Sequence, residues 1–155
     1  MPPSKRVAAL FLAAVAAFSA ASCSGQPRMR LDEISAPQQQ ARMGVDEGAY
    51  EVHIDRVTAE VRRLLEEKYG DSEVMLYTLA PDADWNSIVN FYEPRLGAKG
   101  LKRDASVPAE RLTYKLAVWA DAGFLSRRAA AAAFIEAGRA QDGTPLKFLA
   151  VFSTD

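Results

Sequence analysis

Hydrophobic and polar positions divide the chain into three stretches of different character. Residues 7–22, VAALFLAAVAAFSAAS, are apolar or small throughout. Residues 24–46, SGQPRMRLDEISAPQQQARMGVD, show no sustained apolar period. From about Glu47 a helical period sets in, with Tyr50, Ile54, Val57, Val61, Leu64 and Leu65 recurring at spacings of three and four between charged positions. That is the pattern of an amphipathic helix, and Gly70 supplies a residue able to close it in the left-handed region. EVMLYTL, residues 73–79, is apolar and β-leaning and is closed by Pro81, which predicts a strand.

A second helix follows from PDADWNSIVNFYEPRLGAKG. Asp82 or Asp84 can cap its first turn, and Trp85, Ile88, Val89, Tyr92 and Leu96 fall on one face. Pro94 has no amide for the carbonyl of Asn90, so a kink or restart is expected there. Gly97 and Gly100 then release the chain into a short strand at Leu101 and Lys102. RLTYKLAVWA, residues 111–120, alternates Leu112, Tyr114, Leu116 and Val118 with Arg111, Thr113, Lys115 and Ala117, a strand with one apolar face. PLKFLAVFS, residues 145–153, is the strongest strand pattern in the chain.

Between those two strands RRAAAAAFIEAGRAQDGT reads two ways. Alanine propensity and Ser126 as a cap favour a helix, whereas the Asp142–Gly143 turn favours a hairpin. Two arginines in a first turn would oppose the helix dipole, which tips residues 130–137 toward strand. The expected fold is α+β, with two amphipathic helices packed on one face of a mostly antiparallel sheet of four to five strands, the other face partly open or covered by the tether or a partner.

Composition removes several function classes. The chain has 155 residues, 19 Lys plus Arg against 20 Asp plus Glu, and no basic stripe, so nucleic acid is not expected as a partner. One Cys and one His cannot build the usual zinc clusters, and no metal or cofactor is expected. His53 lies among charged helix positions with no glycine-flanked nucleophile to activate. Acid pairs such as Asp82 with Asp84 serve as caps or solvated positions, and Gly97 and Gly100 are a helix stop rather than a phosphate loop. No catalytic residue is assigned and an enzyme is not expected. The remaining candidates for partner or ligand contact are aromatic: Trp119 and Phe124, expected to be accessible near a loop, and Trp85 and Tyr92 on the second helix, which core packing would equally explain.

The N-terminus carries the most specific signal. MPPSKR is short and positive, the apolar run follows, and small residues precede Cys23, the plan of a secretory signal peptide over residues 1–22. A membrane span needs roughly 20 apolar residues, more than the 16 of residues 7–22. Loss of residues 1–22 would remove two of the 19 basic residues and no acid, leaving a net charge of −3.

The stretch AASC, residues 20–23, resembles the lipobox of bacterial lipoproteins, with Ala20 where that family usually has Leu. The resemblance implies that Cys23 is the lipid-attachment residue: it takes a diacylglyceryl thioether, becomes the first mature residue and is often acylated again. Two or more acyl chains give stable membrane anchoring where one is marginal. Ser24 lacks the Asp of inner-membrane retention, which implies the outer membrane, facing the periplasm, in a Gram-negative source. The composition of residues 24–46 reads as a tether whose r.m.s. span is at least about 25 Å, the alternative being a short helix that docks Leu31, Ile34 and Met43 on the domain. The folded domain is expected over residues 47–155. Over roughly residues 70–155, the succession of a strand with Tyr77, then Asp84 and Trp85, a helix with Phe91 and Tyr92, Gly97 and a strand meander resembles small soluble modules of bacterial lipoproteins. The expected function is a non-enzymatic, lipid-anchored binding or assembly module at the cell envelope, engaging the membrane through Cys23 and an envelope protein. The alternative is a carrier of a small apolar ligand held between helices and sheet.

Overall fold

The computed structural model describes residues 48–123 and 126–154, so the expectations on the signal segment, Cys23, the tether and Phe124 lie outside the described residues. The element order is α1 (Gly48–Lys68), β1 (Ser72–Thr78), α2 (Trp85–Ala98), β2 (Leu101–Arg103), β3 (Tyr114–Asp121), β4 (Ala129–Arg139) and β5 (Pro145–Thr154). The five strands form one sheet in the order β1-β5-β4-β3-β2, every neighbouring pair antiparallel. The fold is α+β.

The alanine-rich stretch is a strand, the centre of the sheet. Ala129 to Ala133 are all buried, and Ala133 pairs with Leu116 of β3 on one side and Ala150 of β5 on the other. Alanine's helix propensity is a weak prior that long-range pairing overrides. The register shifts between Glu136 and Gly138, and Gly138 there adopts φ +113°, a bulge conformation that favours glycine.

The helices lie on opposite faces of the sheet, which corrects the expectation that both share one. Ile54, Val57, Val61 and Leu65 of α1 pack with Leu116, Val118, Ala131, Ala133, Ile135, Phe148, Ala150 and Phe152. Ile88, Tyr92 and Leu96 of α2 pack with the alternate residues Ala117, Trp119, Ala130, Ala132, Phe134, Leu149 and Val151. The reason is in the strands: β3, β4 and β5 are apolar at successive positions, so both faces of the sheet must be covered. The small side chains of Ala131, Ala133 and Ala150 form a shallow bed under α1.

Local chemistry sets the boundaries. Gly70 takes φ +103°, and its amide donates to the Leu65 carbonyl at 3.2 Å, closing α1. Asp84 caps α2, its carboxylate accepting from the Ser87 amide at 2.9 Å and the Ser87 hydroxyl at 2.7 Å. Those bonds, hydroxyl and then amide, hold the Asp84 carboxyl below its ordinary range. Pro94 lies inside α2, which continues past it to Ala98 instead of restarting. The neighbouring Phe91 carbonyl takes an added bond from Arg95 Nη1 at 2.7 Å. Strand β3 begins at Tyr114, and Leu112, expected on its apolar face, is fully exposed in the preceding turn.

Candidate functional site

The aromatic candidates are brought together, but in the interior. Trp119 is only 1% exposed, which corrects the expectation that it is accessible near a loop; Tyr92, also 1% exposed, packs in the core, and Trp85 is half-buried. Trp119 sits at the end of β3 in sequence, yet α2 crosses over it and its ring centroid lies 6.1 Å from that of Tyr92. Its indole Nε1 donates to Glu93 Oε2 at 2.9 Å, which satisfies the one polar atom that burial would otherwise strand. Arg103 Nη1 stands 3.7 Å from the same carboxylate oxygen, and its guanidinium lies 5.3 Å from the Trp119 ring centre. Trp85 packs near Phe134, and Phe91 meets Tyr92 edge-on with centroids 5.0 Å apart.

Tyr92 differs from Trp119 in one respect: its hydroxyl is buried without a hydrogen-bond partner among the described residues. Burial, and then the nearby Tyr77, push this phenol well above its ordinary range. An orphaned buried hydroxyl costs free energy and marks a place where a water or a ligand group would be welcome.

A second polar cluster joins the end of α1 to the segment after β2. Lys68 Nζ donates to Asp104 Oδ2 at 2.9 Å and to Ser106 Oγ at 2.6 Å, and the Tyr69 hydroxyl donates to Asp104 Oδ2. Asp104 Oδ1 accepts from the Ser106 amide at 2.9 Å and the Ser106 hydroxyl at 2.6 Å. Partial burial works to raise the Asp104 carboxyl, but the bonds from Ser106, Tyr69 and Lys68 outweigh it and hold the group far below its usual range. Lys, Ser and Asp in such contact invite a comparison with nucleophilic catalysis. The geometry argues otherwise: Lys68 acts as donor to both partners, and a carboxylate so strongly held in its charged form is a poor base for the Ser106 proton. The cluster clamps α1 to the sheet edge. Tyr114 does the same on β3, donating to Glu60 of α1 at 2.8 Å.

His53 accepts from Arg56 at 3.1 Å on the outer side of α1. Among the described residues no three His, Cys, Asp or Glu side chains gather as metal ligands, and no helix is long and apolar enough to cross a membrane.

The two edges of the sheet differ, a feature the residue pattern did not reveal. On the β2 side, the chain from Asp104 to Arg111 folds over β3: the Asp104 amide donates to the Val118 carbonyl at 2.8 Å, Leu116 to Ala109 at 2.8 Å and Arg111 to Tyr114 at 3.0 Å. On the other side β1 pairs, among the described residues, only with β5. It contains no proline, no lysine and a single charge, Glu73. At its centre Met75 is 38% exposed, its Sδ accepting from the Tyr77 hydroxyl at 3.6 Å. Such a mostly apolar edge, uncovered among the described residues, is a template for a further strand. Compared with protein-family models, with curated proteins and with solved structures, the chain matches none of them.

Proposed function

We propose that this chain is a lipid-anchored envelope protein that acts as a non-enzymatic binding or assembly module facing the periplasm, held to the membrane through acyl chains on Cys23. The observation that carries the reading is the β1 edge, which no described strand pairs and which offers Met75 at its centre, on a domain whose Asp104 and Glu93 clusters are engaged in holding its own elements together. The support for the anchor is the AASC sequence. Labelled palmitate should enter the wild-type chain and not Cys23→Ala, and that variant should move to the soluble fraction; equal labelling would overturn the anchor. A photoreactive residue at Met75 should capture a protein in cells where one at the exposed Arg62 of α1 does not, and repeated absence of adducts at Met75 would overturn the binding module.

The second reading, a carrier of a small apolar ligand, is favoured by one observation, the buried Tyr92 hydroxyl without a partner among the described residues. Native mass spectrometry of the gently extracted protein should then find a bound small molecule that Tyr92→Phe releases.

A further inference from the structure

The parity of hydrogen bonding in β1 specifies what the open edge can accept. Leu79 is opposite Lys147 in the register that pairs Thr78 with Phe148, and the Leu79 amide donates to the Lys147 carbonyl at 2.9 Å. In an antiparallel ladder, hydrogen-bonded and non-hydrogen-bonded pairs alternate. Glu73, Met75 and Tyr77 therefore spend their backbone groups on β5. Ser72, Val74, Leu76 and Thr78 point their amides and carbonyls outward, where no described residue bonds them.

We infer that this edge pairs with the same edge of a second copy, antiparallel and centred on Met75, joining two five-stranded sheets into one of ten strands. This rests on the binding or assembly reading above and names its partner. Three features of the strand fit a two-fold axis at Met75. First, the outward groups match themselves: Val74 faces the second copy's Leu76 and Ser72 its Thr78, so each outward amide meets an outward carbonyl in a hydrogen-bonded pair. Second, the Ser72 hydroxyl is buried with no partner among the described residues, and the pairing sets it across from a threonine on the same face, where cross-strand hydroxyl bonds form. Third, the only charge does not oppose itself. Glu73 falls opposite Tyr77 and lies four residues, at least about 13 Å, from its own copy, beyond the screening length of about 8 Å at physiological salt. Met75 meets Met75 in the closely spaced, non-hydrogen-bonded pair, which covers the exposed thioether.

The test is oxidative cross-linking of the full chain in its own membranes. Cα atoms of a non-hydrogen-bonded pair lie about 4.5 Å apart, within the range of about 4.4 to 6.8 Å that a disulfide spans. Met75→Cys should give a dimer whose linked peptide joins residue 75 to residue 75. Glu73→Cys should give none, since positions about 13 Å apart cannot be bridged. Both positions are exposed in the single copy, so neither variant threatens the fold. Met75→Lys should shift the sedimenting mass of the full chain in detergent from dimer to monomer while its circular dichroism spectrum stays that of the wild type, and should remove the concentration dependence of the melting temperature. Equal cross-linking of the two cysteine variants, or none from Met75→Cys, overturns the pairing. An adduct of Met75→Cys with a different protein also overturns it, while leaving the binding-module reading in place.

Discussion

Replacing Asp104 by Asn keeps the side chain's shape and removes its charge, which isolates what the clamp between α1 and the β2–β3 segment contributes. The variant retains one carbonyl oxygen for the Ser106 amide and hydroxyl, but turns an amide group toward the Lys68 ammonium and the Tyr69 hydroxyl. A hydrogen bond to a charged acceptor contributes about 1.5–3 kcal/mol, which sets the loss at Tyr69. The Lys68 pair adds at most about 1 kcal/mol, because the lysine side chain is 45% exposed and its charge is screened. The sum is about 2–4 kcal/mol at pH 7, or a fall of roughly 8–15 °C in Tm for a domain of this size.

The pH dependence sharpens the test. The folded carboxyl titrates below its unfolded value of about 3.9, so its contribution is complete above that value and is lost as pH falls. Between pH 5 and pH 3 the unfolded chain takes up a proton that the folded one refuses, which removes about 1 kcal/mol of the wild-type advantage. Urea denaturation of wild type and Asp104→Asn at pH 7, 5 and 3 should show a gap of that size that narrows toward acid. A gap below about 1 kcal/mol at pH 7, or one equal at pH 5 and pH 3, would refute the clamp.

Two further substitutions probe the core. Tyr92→Phe removes the unpartnered hydroxyl, so stability should be unchanged or rise by up to about 2 kcal/mol; a loss above about 1 kcal/mol in urea denaturation would mean that a water or ligand satisfies the group. Ala133→Leu forces three carbons into the bed under α1 and should cost at least about 1–3 kcal/mol, read by the same method; a neutral result would mean that α1 stands off the sheet.

The elements were legible because their signals are local. The three-and-four spacing from Tyr50 to Leu65, the Asp84 cap and the apolar run of residues 145–153 each fall in the structure at α1, α2 and β5. The strand at residues 129–139 was reachable through the arginines that would oppose a helix dipole, although alanine alone pointed the other way. Which face each helix covers was not local. The alternation of Leu112, Tyr114, Leu116 and Val118 points to a single apolar face for β3, while Ala117 and Trp119 are apolar on the opposite face and need a second cover. The strand-end position of Trp119 points to a loop-side contact, whereas its burial comes from α2, which is distant in sequence and adjacent only after the chain has crossed the sheet.

By itself the sequence determined the helices, the strands and the expectation of a lipid anchor at Cys23, since capping, periodicity and the AASC stretch depend on neighbours along the chain. The order of the strands, the opposite placement of the helices, the Asp104 clamp and the open side of β1 were decided only in three dimensions. Edge or centre is a property of a strand's partners, and the residues of β1 carry no mark of which side will be left unpaired.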